Sequence, residues 1–290
     1  MKKILPWFAA LVTVIIWSET FISTKVLLGS GLSPAAIFLY RFFIAYTGIW
    51  FFCPKKMFSE NLKDELYFFL MGTLGGAVYF LAENTALQYS TASNVAILAG
   101  SSPLVTAILL GIFYKEEKAG LKQIAGSIIT FIGMALVVLN GKFVLHLNPK
   151  GDLLAIGAAV SWGFYCLFLK KVTDRYDILF LTRKVFAYGI LSMLIFFIAS
   201  GKRMEFQLVM THPHVWGNLV YLGLIASLLC FISWNWALRK IGIVRATNLV
   251  YSQCFFTMIF AAVLLGERIT MMAVIGSVVL VSGMYLALKK

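Results

Sequence analysis

The length and spacing of the apolar stretches constrain this chain most. Ten runs of about 20 mostly apolar residues follow one another, separated by charged residues, glycines or prolines. A helix needs about 20 such residues to cross the hydrocarbon core of a bilayer, which is about 30 Å thick. The sequence therefore predicts an all-α integral membrane protein in a lipid bilayer, with ten transmembrane helices. The predicted spans are residues 4–28, 33–53, 66–88, 92–114, 120–140, 151–170, 178–200, 215–238, 244–265 and 270–288.

Composition and charge agree with a membrane protein. The chain has 61% hydrophobic and 13% charged residues, whereas soluble chains have about 25% charged residues. Its net charge of +13 would indicate nucleic-acid binding in a soluble protein, but here the basic residues lie between the apolar runs. If the N-terminus is inside, 16 of the 25 basic residues fall on the cytoplasmic side and 5 outside. This bias predicts that both termini are cytoplasmic. The basic residues are thereby explained without a nucleic-acid partner, and we expect no metal or cofactor.

The second half of the chain repeats the first. A segment beginning at Asn84 matches one beginning at Asn235, and Trp17 and Trp162 begin an earlier, weaker match. Each copy holds five spans, an odd number, so the second copy must enter the membrane upside down. We therefore predict two inverted five-helix repeats, residues 1–141 and 142–290. Such repeats are typical of transporters that bind substrate at the repeat interface and open alternately to either side.

Three segments carry a resemblance to a known family. They read "TASNVAILAGSSPLVTAILLGIFYKEE", "GDLLAIGAAVSWGFY" and "LLGERITMMAVIGSVVLVSGM". Over nearly its whole length the chain resembles the EamA family of the drug/metabolite transporter superfamily. The resemblance implies a central cavity lined by spans 1, 3, 4, 6, 8 and 9, and export of a small metabolite across a bacterial inner membrane. The chain keeps a proline at Pro103, but Gln253 and Cys254 replace the acid and proline usual in the second half, so a kink is expected more strongly in span 4 than in span 9.

Two acidic residues lie within the predicted spans. Glu19 lies about 4–5 Å from the middle of span 1, and Glu83 about 9 Å from the middle of span 3, at 1.5 Å per residue. A charge at the bilayer centre costs about 2.5–3.5 kcal/mol on insertion scales, so such residues face the bundle or a wet cavity. Both are candidates for proton coupling and for the cavity, with Ser23 and Tyr79 one turn away. The alternatives are an ion pair of Glu19 with Arg41, and exposure of Glu83 at the membrane interface.

Arg41 and Arg183 occupy matching positions in the two copies. A guanidinium can bind an anion through its planar fork, or it can form an ion pair between packed helices. The resemblance implies that an arginine is kept at this kind of position across varied substrates. We therefore favour structural ion pairs for both residues.

Polar and aromatic residues of the inner spans complete the predicted cavity. The polar candidates are Asn84, Asn94, Ser101, Ser102, Asn248, Ser252 and Gln253. The aromatic candidates are Trp17, Trp162, Tyr165, Trp234 and Tyr251. Polar side chains also join transmembrane helices to one another, and aromatic rings often only pack, although their faces attract cations.

Glycines mark faces where helices approach closely. Gly126 and Gly133 in span 5 match Gly276 and Gly283 in span 10. These faces can pack within the chain, which we favour, or form a homodimer contact.

The predicted function is secondary transport. The substrate would be a small metabolite, such as an amino acid or a related amphiphilic compound, exported across the inner membrane with a proton as a candidate coupling ion. Two alternatives stay open: a membrane-embedded transferase and a passive channel. The transferase is disfavoured because the spans hold no cluster of acids and all three histidines fall in predicted outer loops, whereas such chemistry needs metal-binding acids or an activated nucleophile.

Overall fold

The computed structural model describes residues 4–53, 57–90, 92–114, 120–139, 148–202, 204–265 and 270–288. Both chain ends and the predicted boundary after residue 141 lie outside these ranges. The described helices are α1 (Leu5–Gly29), α2 (Pro34–Ile49), α3 (Leu62–Tyr89), α4 (Ala92–Ala99 and Ser102–Phe113), α5 (Leu121–Leu139), α6 (Pro149–Val172), α7 (Ile178–Ser200), α8 (Pro213–Ile241), α9 (Ile243–Thr247, Asn248–Ser252 and Gln253–Leu265) and α10 (Met271–Leu288). A short helix, Phe206–Thr211, precedes α8.

The helices identify a multi-pass membrane protein. Six of them, α1, α3, α4, α6, α7 and α8, are long and apolar enough to cross a bilayer. Three shorter apolar helices, α2, α5 and α10, accompany them, and α9 is divided into three pieces. The total of ten spans therefore stays a prediction.

Polar residues just before the apolar runs set several helix starts. The Ser33 hydroxyl accepts a hydrogen bond from the Ala36 amide (3.3 Å), and Pro34 follows in the first turn of α2. The Asp177 carboxylate accepts from the Leu179 amide (2.8 Å) at the start of α7. These side chains satisfy amides that the helix itself leaves without partners.

Two helices contain π-helical segments at matching positions in the two halves. The segments are Thr73–Val78 in α3 and Tyr221–Leu229 in α8. A side chain from the opposite half donates to a carbonyl of each segment. Ser161 Oγ donates to the Leu74 oxygen (2.6 Å), and Trp17 Nε1 donates to the Ala226 oxygen (2.9 Å). These two hydrogen bonds fix α1 against α8 and α6 against α3. π-Turns alter the regular hydrogen-bond ladder of a helix and often mark functional sites.

α4 and α9 are both interrupted, again at matching positions. α4 breaks at a turn over residues 100–101, and α9 contains a 3₁₀ segment, Asn248–Ser252. At each break a serine hydroxyl bonds back to the carbonyl three residues earlier, Ser101 to Leu98 and Ser252 to Leu249, both at 2.6 Å. The interruption of α9 therefore forms without the proline that α4 has at position 103.

α5 and α10 pack against each other through their glycines. A Cβ atom on Gly133 would lie 2.6 Å from the Leu280 Cα, and one on Gly283 would lie 2.6 Å from the Thr130 hydroxyl oxygen. Gly126 and Gly276 meet the partner helix equally closely. All four glycines are thus used for packing within the chain, as we favoured over a dimer contact.

Contacts between the two halves come in matched pairs. A Cβ atom on Gly72 of α3 would lie 2.8 Å from the Val185 carbonyl oxygen of α7. The matching Gly223 of α8 lies against α2, where a Cβ atom would be 3.1 Å from the Arg41 carbonyl oxygen. A helix of one half thus contacts the other half in the same way as its matching helix does. This holds for the pairs α3–α7 and α8–α2 and for the antiparallel pair α5–α10, and it is what a two-fold relation between the halves produces.

A polar cluster joins the start of α3 to the connection between α6 and α7. Arg175 donates two hydrogen bonds to the Asp64 carboxylate (2.6 and 2.7 Å), and the Tyr176 hydroxyl donates a third (2.7 Å). One residue along α3, Glu65 pairs with Lys184 of α7. Lys184 is buried. The cluster connects the two halves at the end of the bundle that the charge bias assigns to the cytoplasm.

Candidate functional site

A cavity lies at the centre of the bundle, where α1, α2, α3, α4, α6, α8 and α9 meet. It contains about 550 Å³ of space not occupied by atoms, its open mouth included. These helices are the six spans that the family resemblance implies, together with α2. Three residues at the helix interruptions form part of its wall: Ala99 before the break in α4, Gly100 within that break, and Val250 within the 3₁₀ segment of α9.

Six aromatic rings line the cavity. They are Trp17, Phe21, Tyr79, Phe80, Trp162 and Phe231. The matched residues Trp17 and Trp162 meet edge to face, with ring centroids 5.9 Å apart and an interplanar angle of 87°. Trp162 also contacts Tyr79 (5.2 Å between centroids). The two halves therefore contribute equivalent indole rings to one apolar surface.

Arg41 brings a buried positive charge to this cavity. Its side chain is 2% exposed, its Nε donates to the Ser227 hydroxyl (2.9 Å), and its guanidinium carbon lies 4.3 Å from the centroid of the Phe80 ring. Within the described part of the chain, Arg41 has no carboxylate oxygen within ion-pair distance. The predicted structural ion pair with Glu19 is therefore not formed, because Glu19 faces another part of the bundle.

Glu83 brings a buried carboxyl group to the same cavity. Its Oε1 accepts a hydrogen bond from the Tyr79 hydroxyl (2.6 Å), and the residue is 8% exposed. Glu83 and Arg41 are close enough to interact electrostatically without forming an ion pair. The predicted pair of Tyr79 and Glu83 therefore lies in the cavity, and Glu83 is not exposed at the membrane interface.

Glu19 lies on the far side of α1 from the cavity. Trp17, which lines the cavity, is two residues away, or about 200° around a helix. The Glu19 carboxylate accepts from the Ser23 hydroxyl (2.8 Å) and lies near the Tyr221 hydroxyl of α8. Glu19 and Ser23 thus lie between α1 and α8 and not on the cavity wall.

The other polar candidates divide between the cavity and the packing around it. Ser102 and Gln253 line the cavity, and the Gln253 side chain also donates to the Trp17 carbonyl (3.2 Å). Asn84 donates to the Pro34 carbonyl (3.2 Å) and packs α3 against α2. Ser101 and Ser252 bond to the backbone at the helix interruptions, as described above. The side chain of Asn94 lies outside the described part of the structure.

The remaining aromatic candidates are buried behind the cavity. Tyr165 donates to the Asn235 side chain (2.6 Å), and Trp234 packs against Trp17 with 5.1 Å between ring centroids. Tyr251 is fully buried, and its neighbour Asn248 accepts from the Ser127 hydroxyl of α5 (3.4 Å). These residues support the wall without forming it.

The matched arginines have different surroundings. Arg183 lies near the start of α7, where it donates to the Cys53 carbonyl and its guanidinium carbon lies 4.6 Å from the centroid of the Trp50 ring. It lines a separate surface pocket and not the central cavity. Only Arg41 of this pair lies where a central ligand would bind.

Sequence reasoning missed several wall residues. Thr20 and Phe21 are three and four residues after Trp17, so helical periodicity from Trp17 places them on the same face. Phe80 and Phe231 had no comparable signal, because the chain has 25 phenylalanines and only the packing of the bundle selects these two.

A multi-pass helical protein whose interrupted helices surround a central cavity lined by a buried arginine and a buried glutamate has the features of a membrane transporter. The sequence profile of the EamA-like transporter family matches residues 5–139 and again residues 149–289. The chain belongs to this family.

Relatives over nearly the full length are named as transporters. An uncharacterized transporter of Archaeoglobus fulgidus is 28% identical over 282 residues, 96% of this chain and 95% of the relative. A probable amino-acid metabolite efflux pump of Salmonella typhimurium is 25% identical, covering 96% of this chain and 93% of the pump. A probable terminal-alkyne amino-acid exporter of Streptantibioticus cattleyicolor is also 25% identical, covering 99% and 94%. One crystal structure shares the fold, with a TM-score of 0.74, 16% identity, and coverage of 98% of this chain and 95% of that chain.

Proposed function

We propose that this protein is a secondary transporter that exports small metabolites, such as amino acids or related amphiphilic compounds, across a bacterial inner membrane. The observation that carries the proposal is the central cavity, in which buried Arg41 and Glu83 face an aromatic wall. The names of the Salmonella and Streptantibioticus relatives support amino acids as the class of substrate.

We also propose that the chain has ten spans in two inverted repeats, residues 1–141 and 142–290, with both termini in the cytoplasm. The matched π-segments, the matched interruptions and the reciprocal glycine contacts support this arrangement. Transport would then occur by alternating access, as the two halves rock around a fixed central site.

The polar cluster of Asp64 and Glu65 supports a carrier over a passive channel. Glu65 and Glu83 are 18 residues apart on α3, which is about 27 Å along a helix. The cluster therefore closes the bundle far from the cavity, at the predicted cytoplasmic end. Export requires this end to open, so the contacts of Asp64 and Glu65 must break in each cycle.

Counterflow in proteoliposomes tests the proposed function. Vesicles loaded with an unlabelled amino acid should transiently concentrate the same labelled amino acid, because a carrier exchanges substrate across its alternating site. Empty liposomes are the control. Flux without exchange, increasing in proportion to concentration, would instead indicate a channel, and no flux of any amino acid would contradict the proposed substrate class.

Proton coupling is assigned to Glu83 in preference to Glu19, because only Glu83 lines the cavity. We expect a pH gradient to increase wild-type flux several-fold. The residual flux of Glu83→Gln should not respond to the gradient, and Glu19→Gln should keep the wild-type response. Wild-type flux that does not change with a pH gradient would contradict coupling to protons. If the effect of the gradient on flux were lost only in Glu19→Gln, the proton would be assigned to Glu19.

A further inference from the structure

We infer that the cavity recognises a zwitterion, with Arg41 binding the carboxylate and Glu83 the ammonium group of an α-amino acid that has an apolar or aromatic side chain. This inference rests on the proposed function and adds to it the two groups that select the substrate.

Arg41 has the geometry of a carboxylate receptor. A guanidinium carries five N–H donors, and only Nε has an acceptor, the Ser227 hydroxyl, among the described residues. Ser227 and the Phe80 ring hold the guanidinium in place. The terminal N–H groups are thus left for the cavity, where their planar fork can donate two parallel hydrogen bonds to one carboxylate.

Glu83 has a complementary arrangement for an ammonium group. The Tyr79 hydroxyl occupies Oε1 and orients the carboxylate, and no lysine or arginine among the described residues forms an ion pair with it. An ammonium group carries three N–H donors and no acceptor. It can therefore bind a carboxylate acceptor directly and compensate its charge.

The presence of both Arg41 and Glu83 in the cavity wall favours a ligand that carries both a positive and a negative group. A buried charge without a partner is costly, and Arg41 and Glu83 both line the cavity without forming an ion pair with each other. A zwitterion places an opposite charge against each of them. A ligand with only an amine or only a carboxylate leaves one buried charge without a partner, so the site should discriminate against both.

The uncharged part of the cavity wall indicates what kind of side chain the substrate carries. Trp17, Trp162 and Phe231 present apolar surface beside the two charges, and Arg41 and Glu83 are the only charged residues among those described in the wall. A charged substrate side chain would find no partner there. An apolar or aromatic side chain would instead bury its surface against the rings.

Three probes with the same ring separate the two interactions: phenylalanine, phenethylamine, which lacks the carboxylate, and 3-phenylpropionate, which lacks the amine. Affinities are measured by calorimetry on purified protein in detergent. For the wild type we expect phenylalanine to bind at least about tenfold more tightly than either analogue, since one charged hydrogen-bonded contact contributes about 1.5–3 kcal/mol.

The variants should change specificity in opposite directions. Arg41→Gln should weaken the binding of phenylalanine at least about tenfold while leaving the affinity for phenethylamine unchanged. Glu83→Gln should weaken phenylalanine to a similar extent while leaving 3-phenylpropionate unchanged. Arg183→Gln and Glu19→Gln, which alter matched or comparable charges outside the cavity, should leave all three affinities unchanged. If Arg41→Gln does not fold, Arg41→Lys keeps the charge but removes the fork, and it should weaken phenylalanine selectively.

The inference would be overturned if a folded Arg41 or Glu83 variant lost affinity equally for all three probes. It would also be overturned if the wild type did not bind phenylalanine more tightly than the two analogues. These failures differ from failure of the proposed function. A wild type that exchanges amino acids in counterflow, yet shows no selective loss in either variant, would refute only the roles of Arg41 and Glu83.

Discussion

Covalent fixation of the predicted cytoplasmic end should abolish transport. The Tyr176 hydroxyl accepts a hydrogen bond from the Glu60 amide (3.1 Å) and donates one to Asp64 (2.7 Å), so these groups connect the two halves directly. In alternating access this connection must open in every cycle. Joining Glu60→Cys to Tyr176→Cys with a short bis-maleimide should therefore reduce counterflow to the level of empty liposomes.

The native cysteines allow this experiment with little change to the protein. Cys166, Cys230 and Cys254 are buried, and only Cys53 is partly exposed, so Cys53→Ser provides the background. The double variant before cross-linking controls for the substitutions, and each single-cysteine variant controls for the reagent. Full counterflow in the cross-linked protein would show that this end does not open during transport.

Leucine in place of the packing glycines should destabilise the fold. In Gly133→Leu and Gly283→Leu, the new Cβ atom would lie 2.6 Å or less from atoms of the facing helix, so α5 and α10 must separate. Overpacking costs about 1–3 kcal/mol or more per site. We expect the apparent melting temperature in detergent to fall by about 3–10 °C for each variant, measured by scanning fluorimetry.

Gly157→Leu is the matched control for these variants. A Cβ atom on Gly157 of α6 would meet no atom within 4 Å, and this helix position is exposed. Its melting temperature should stay within about 2 °C of the wild type, because surface substitutions change stability by about 0.5 kcal/mol. If Gly133→Leu and Gly283→Leu were as stable as Gly157→Leu, α5 and α10 would not pack as described.

The helix positions could be predicted because the requirement for apolar length acts on each helix separately. Span 7 was predicted at residues 178–200, and α7 is Ile178–Ser200. The interruption of α9 could not be predicted in this way. Without a proline, it depends on the back-bond of Ser252 and on packing against other helices, which the local sequence does not reveal.

The site was harder to predict than the fold. Ionisable residues within spans are easily recognised, but their direction depends on helix rotation relative to the neighbours. Glu83 faces the cavity. Glu19 lies on the side of α1 opposite Trp17, near Tyr221 of α8, and the sequence does not show which side of α1 faces the cavity. Likewise, the repeat matched Arg41 with Arg183, although only Arg41 lies in the cavity. Sequence symmetry identified equivalent positions but not equivalent roles.

The inversion of the two halves can be measured directly by labelling matched positions. Lys63 and His214 are both exposed and lie 21 residues before the matched Asn84 and Asn235. In the Cys53→Ser background, an impermeant maleimide added to intact cells should label His214→Cys, and Lys63→Cys should react only after the cells are opened. Labelling of both positions from the same side would contradict inverted repeats.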